Sequence, residues 1–99
     1  LAGYSKEDIA KAQQAMQDAT NLVLEAMKAG LPANSPEAMS GAEAHRQSIS
    51  DYWYECSYQI HTGLATMYLA DPRFMAHYES QQAGLAKYIH DAIVANANK

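Results

Sequence analysis

Apolar residues recur every three or four positions along most of this chain, the spacing that gathers them on one face of a helix. Near the start, Ile9, Ala12, Met16, Ala19, Val23 and Met27 form such a stripe. Ser5 precedes it as a cap, with Asp8 where a capping box usually has Glu or Gln, and Tyr4 and Ile9 occupy the two positions of a hydrophobic staple. The first helix therefore begins near Lys6 and stops near Ala29, where Gly30 offers a left-handed end ahead of Pro32. Ser35-Pro36-Glu37 writes a second start: serine caps, proline needs no amide hydrogen in the first turn, and glutamate meets the positive helix end. That helix runs into the region of Ser50. Asp71-Pro72 repeats the device for a short helix through about Glu79, and Gly84 interrupts before a last helix carrying Leu85, Tyr88, Ile89, Ala92 and Ile93. No alternating β-branched run appears, and alanine is abundant. The predicted fold class is all-α, about five helices in one domain over residues 1–99.

Between the second and fourth of these helices the pattern predicts a third, roughly Tyr54 to Leu69, with a dense aromatic stretch around its start at Tyr52, Trp53, Tyr54 and Tyr58. A step of ~100° per residue sorts this helix into stripes. Glu55, Gln59, Thr62 and Thr66 share a polar side, facing water or a wet cleft. Cys56, Ile60, Leu64 and Met67 form an aliphatic stripe, and Tyr54, Tyr58, His61, Ala65 and Tyr68 an aromatic one nearly opposite. Two apolar flanks predict a central helix packed between neighbours. Gly63 falls at the border of the polar and aliphatic stripes, in line with Cys56 two turns earlier, and that border is where a bound molecule would touch the helix.

Composition narrows the function. The formal charge is −4, and the seven Lys and Arg are scattered singly, which disfavours DNA binding by this chain because phosphate contacts need clustered cations. One cysteine cannot form an internal disulfide, and neither a membrane-length apolar run nor a leader pattern is present, so a cytoplasmic home is expected. The chain starts at Leu1 rather than Met, which is the expectation for a fragment or a processed protein.

The residues with chemical potential each have an ordinary structural explanation. Tyr58, Tyr68 and Tyr88 read as core tyrosines with the hydroxyl at an edge. Tyr52 and Trp53, just before the third helix, stand equally well as a ligand wall or as packing. His45, His61, His77 and His90 lack the spacing of a metal site, and Cys56 reads as a small buried hydrophobe rather than a nucleophile. His90-Asp91 and Asp71-Arg73 read as a cap or a surface ion pair. No enzyme signature remains, and no cofactor is implied.

Taken in order, Tyr4-Ser5-Lys6-Glu7-Asp8, Ala29-Gly30 with Pro32-Ala33, His45-Arg46-Gln47, Tyr54 with Cys56, Tyr58 and His61-Thr62, Met67-Tyr68, Asp71 with Arg73-Phe74, Gly84-Leu85-Ala86 and Asp91-Ala92-Ile93 resemble the TipAS antibiotic-recognition domain over nearly the whole chain. The resemblance implies a compact, globin-like bundle without haem. It also implies a place as the C-terminal effector domain of a MerR-type transcriptional activator, with DNA reached only through a separate N-terminal domain. Its ligands would be thiopeptides or other bulky macrocyclic or hydrophobic antibiotics, and their capture would confer drug resistance. The family's mobile N-terminal stretch, which folds over the ligand, would precede the first helix of this chain. In the thiopeptide-binding pattern a cysteine follows the His-Thr step and adds to a dehydroalanine of the drug; here that position is Gly63, so binding is expected to be noncovalent. Cys56 matches the family's other cysteine, which is not the attacking one.

The ligand-contacting residues expected on this reading are Tyr52, Trp53, Cys56, Gln59, Gly63 and Thr66. A free-standing antibiotic-sequestering protein is the alternative function, and an enzyme or haem protein the least favoured. The domain alone is expected to be a monomer, since the MerR pattern dimerises through a long helix elsewhere.

Overall fold

The structure, a computed structural model, describes residues 5–99. Five helices follow one another: α1 (Lys6–Lys28), α2 (Pro36–Tyr52), α3 (Tyr58–Ala70), α4 (Pro72–Glu79) and α5 (Leu85–Ala97). The all-α class and the count of five are as the sequence predicts. So are the ends of α1: the Ser5 hydroxyl accepts from the Asp8 amide at 3.2 Å while the Asp8 carboxylate accepts from the Ser5 amide at 3.2 Å. The staple position Tyr4 lies outside the described residues. At the other end Gly30 takes φ +79°, the Gly30 amide donates to Met27 O and the Leu31 amide to Ala26 O, closing a Schellman motif. Ser35 and Asp71 cap α2 and α4 as read from Ser-Pro and Asp-Pro. One cap has no local signature. Gly84, at φ +88°, supplies no side chain to α5, and the Glu79 carboxylate at the end of α4 accepts from the amides of Gly84 and Ala86 instead.

Helix α3 begins four residues later than the pattern predicts. Ser57 caps it by accepting from the Ile60 amide at 3.1 Å, so Tyr54, Glu55 and Cys56 belong to the connection rather than to the helix. That connection is pinned to α2 at Cys56. Its amide donates to Ser50 Oγ at 2.9 Å, its carbonyl accepts from Arg46 at 2.7 Å, and its side chain is fully buried. Cys56 and Gly63 therefore do not lie two turns apart on one helix, as the extended assignment had them.

The central element is α5, not α3. Leu85, Ile89 and Ile93 of α5 are fully buried, and α5 meets each of the other four helices. Helix α3 packs on α5 and buries one flank, His61, Ala65 and Tyr68, with His61 beside His45 of α2 and Tyr68 beside His45 and Tyr78. The aliphatic flank stays open: Ile60 is 44% and Met67 37% exposed. Tyr58, read from sequence as a core tyrosine, is 39% exposed, because in the first turn of α3 its ring lies against the Arg46 guanidinium and faces a groove rather than the core. Tyr68 is buried and Tyr88 half-buried, its hydroxyl donating to Leu31 O at 2.8 Å. Among the described residues no helix is long and apolar enough to cross a membrane.

Helices α1 and α2 cross where Gly41 meets Val23. A Cβ on Gly41 would lie 2.7 Å from Val23 Cγ2 and 2.9 Å from the Val23 backbone nitrogen. Two effects oppose each other in Gly41→Ala: the helix propensity of alanine favours it by ~1 kcal/mol, whereas overpacking costs ~1–3 kcal/mol. The obstacle includes main chain, which cannot rotate aside, so the clash prevails. Gly41→Ala is expected to lose at least ~1 kcal/mol of stability in urea unfolding; an unchanged or raised midpoint would show that the helices separate at little cost.

Candidate ligand-binding site

Two grooves flank the outward face of α3. The first, between α3 and α5, has a volume of about 530 Å3; its α3 wall carries Tyr58, Gln59, Thr62, Gly63 and Thr66, and its far wall is the end of α5 around Val94 and Asn98. The second, about 540 Å3, is apolar and lies between α3, the end of α2, the middle of α1 at Met16 and the start of α4, with Trp53, Leu64, Met67 and Phe74 among its lining residues. Gly63 faces outward on the ridge between them. A Cβ placed there meets no atom within 4 Å, so the ridge is low and open at that point.

The six residues expected to contact ligand divide accordingly. Gln59, Gly63 and Thr66 share the first groove, and Trp53 lines the second. Tyr52, the last residue of α2, is half-buried and lines neither. Cys56 is buried beneath the connection, where burial raises its thiol pKa despite the nearby Arg46 charge. The expected contacts omit three lining residues that the sequence marks by other signs: Phe74, the single phenylalanine, in the first turn after Asp71-Pro72, and Leu64 and Met67 of the aliphatic stripe.

The first groove is held in shape by a polar network. Arg46 forms a bidentate pair with Glu43, at 3.1 and 2.6 Å, while its remaining terminal nitrogen reaches Cys56 O. Its guanidinium carbon lies 4.4 Å from the centre of the Tyr58 ring, a cation–π contact that fixes an otherwise exposed aromatic. Glu43 also accepts from Asn96 of α5 at 3.0 Å. The network thus ties α2 to the start of α3 and to α5, the two walls of the groove. Hydrogen bonding to Arg46, above all, holds the Glu43 carboxyl well below the ordinary carboxylate range.

Beneath α3, His45 of α2 and His61 are both fully buried, and His45 Nδ1 lies 2.9 Å from His61 Nε2. The sequence showed no reason to pair them, as they are sixteen residues apart and on different helices. Only one proton fits between the two nitrogens. If His61 Nε2–H donates, His45 Nε2–H points on toward the Tyr78 hydroxyl at 3.4 Å, and the atom left unpartnered, His61 Nδ1, is a lone pair rather than a stranded N–H. Burial, and then the other histidine, lowers the His45 pKa to about 3; burial and then Arg46 lower that of His61 to about 4. Among the described residues no group of three or more His, Cys, Asp or Glu is gathered where a metal ion would bind.

The family model for the TipAS antibiotic-recognition domain matches residues 1–96. The chain belongs to the TipAS family. The HTH-type transcriptional activator TipA of Streptomyces coelicolor (strain ATCC BAA-471 / A3(2) / M145) is 44% identical over 96 residues, 97% of this chain. The TipAS-family chain spans only 38% of that relative's length. A solved structure of TipAS from Streptomyces lividans in complex with nosiheptide superposes with a TM-score of 0.90 at 43% identity, over 98% of this chain and 68% of that one. The antibiotic-binding domain of a TipA-class multidrug resistance transcriptional regulator gives 0.79 at 42% identity, over 88% of this chain and 93% of that one.

The buried histidines predict an acid sensitivity. Their folded pKa values lie below the ordinary 6.5, so the stability they contribute is fully present above that value and is lost as pH falls toward the folded values of about 4 and 3. Between pH 7 and 5, where carboxylates remain largely ionised in the unfolded chain, urea unfolding should report a loss of ~2 kcal/mol per histidine. A flat profile over that interval would contradict the neutral buried pair.

Proposed function

We propose that this TipAS domain is a reversible receptor for a bulky, largely apolar antibiotic of thiopeptide type, serving as the effector domain of a MerR-type transcriptional activator. The observation that carries the proposal is the open apolar flank of α3. Ile60 and Met67 are exposed along it, and Met67 and Phe74 line an apolar groove of about 540 Å3. An exposed apolar surface of this kind marks a binding site on a soluble domain. The nosiheptide complex of the TipAS relative supports the ligand class.

Reversibility follows from Gly63, which offers no thiol at the position where the family's thiopeptide binders attack, and Cys56 is buried too deeply to replace it. The domain acts by binding rather than by catalysis and works in the cytoplasm as a monomer, with DNA contact and dimerisation supplied by other parts of a regulator. A free-standing sequestering protein would use the same grooves without DNA control.

Thermal unfolding against nosiheptide tests the ligand class. At one hundred times its dissociation constant a ligand adds ~2.7 kcal/mol, so the midpoint should rise by several degrees. Gly63→Cys fits without strain, since its Cβ meets open space, and should acquire a mass adduct with nosiheptide if the site is correctly placed. No midpoint shift would defeat the ligand class, and reversible binding without an adduct in Gly63→Cys would defeat the placement.

A further inference from the structure

The apolar groove does not stop at Phe74. A third groove of about 480 Å3 shares Met16, Tyr68 and Phe74 with it and continues along α4 to His77 and Tyr78. A fourth, about 530 Å3, shares Met16 and His77 with the third and follows α1 from Ala10 to Thr20. Ten residues of helix give this last stretch a length of ~15 Å. The polar groove on the other side of Gly63, by contrast, has no lining residue in common with the apolar one among the described residues. Chemistry changes along the joined grooves. Phe74 and His77, three residues apart on α4, are both exposed and both braced by buried tyrosines: ring centres lie 5.5 Å apart for Phe74 and Tyr68, 5.1 Å for Tyr68 and Tyr78, and 5.0 Å for Tyr78 and His77. At the far end Gln17 donates to Asn21 at 2.9 Å and to Gln81 at 2.8 Å, which holds its carboxamide in place, and exposed Gln13 adds a carboxamide that can both donate and accept.

We propose that these three grooves form one trough and that the antibiotic site runs along it past Met16. The apolar groove takes the hydrophobic body, the Phe74 and His77 rings take a planar aromatic or heteroaromatic ring of the ligand, and the Gln13 and Gln17 end takes amide groups. The inference rests on the receptor reading above. One groove of about 540 Å3 has the size that suits a drug-sized molecule, so a bulky macrocycle overfills it and needs a neighbouring surface for the remainder. The trough supplies that surface in continuity, and rings already braced from behind lose little freedom when a ligand ring settles on them. Met16 stands where all three grooves meet, and its unbranched thioether side chain adapts to a ligand crossing the junction.

Intermolecular nuclear Overhauser contacts in 15N-labelled protein saturated with nosiheptide read the trough from end to end. The Trp53 indole, the single one in the chain, reports the apolar groove, and the side-chain amides of Gln13 and Gln17 report the far end. Contacts from nosiheptide to both ends are expected. His77→Ala removes an exposed ring and should weaken nosiheptide binding about threefold to tenfold at a melting temperature close to the native one, with His77→Phe restoring the affinity. Contacts to the Trp53 indole without any to Gln13 or Gln17, or wild-type affinity in His77→Ala, would overturn the trough and leave the receptor reading intact. Absence of binding altogether would overturn both.

Discussion

Every other helix leans on the buried face of α5. Leu85, Ile89 and Ile93 are wholly removed from water, and the space around them is shared among small residues such as Ala26, Ala42 and Ala65. At roughly 25 cal/mol per Å2 of apolar surface, removing these three side chains from water is a strong constraint on how the other helices pack. The consequence falls on α3. With α5 in the centre, α3 can bury His61, Ala65 and Tyr68, and among the described residues nothing is left to cover Ile60 and Met67. The open apolar surface of α3 is thus what remains after a small core has been filled.

Polar contacts then fix how the remaining helices stand. The Glu43–Arg46–Asn96 network joins α2 to α5 and, through Cys56 O and the Tyr58 ring, to the start of α3. The His45–His61 contact joins α2 to α3 in the interior. Buried groups of this kind contribute little net energy when paired and cost much when a partner is lost, so they specify an arrangement more than they add stability. A groove bounded by elements held in this way is preorganised, which lowers the entropy lost when a ligand enters.

Much of this was legible in the sequence because helix ends are written locally. Ser5 with Asp8, Gly30, Ser35-Pro36 and Asp71-Pro72 each needs only neighbouring residues to act, and each acts as read. The start of α3 was misplaced because aromatic periodicity carried the reading through Tyr54 and past Ser57, whose capping role is decided by the anchoring of Cys56 to Ser50 and Arg46. The central position of α5 and the exposure of Tyr58 depend on which helix reaches the middle first, a competition between distant segments that no stripe displays. Of the expected contact residues, Gln59, Gly63 and Thr66 share one groove, while the apolar groove beside Trp53 draws on four helices, so the separate signals at Leu64, Met67 and Phe74 do not point to a common surface in the sequence.

Gly63 is an open backbone position beside a polar and an apolar groove and offers no thiol to a bound molecule, so the capture proposed above can be undone. The most direct test is to saturate the native protein with nosiheptide, follow the fluorescence of Trp53, and then dilute far below the dissociation constant. Full return of the signal, with the protein's intact mass unchanged, is the predicted result; a signal that stays displaced, together with a permanent gain of the antibiotic's mass, would contradict it.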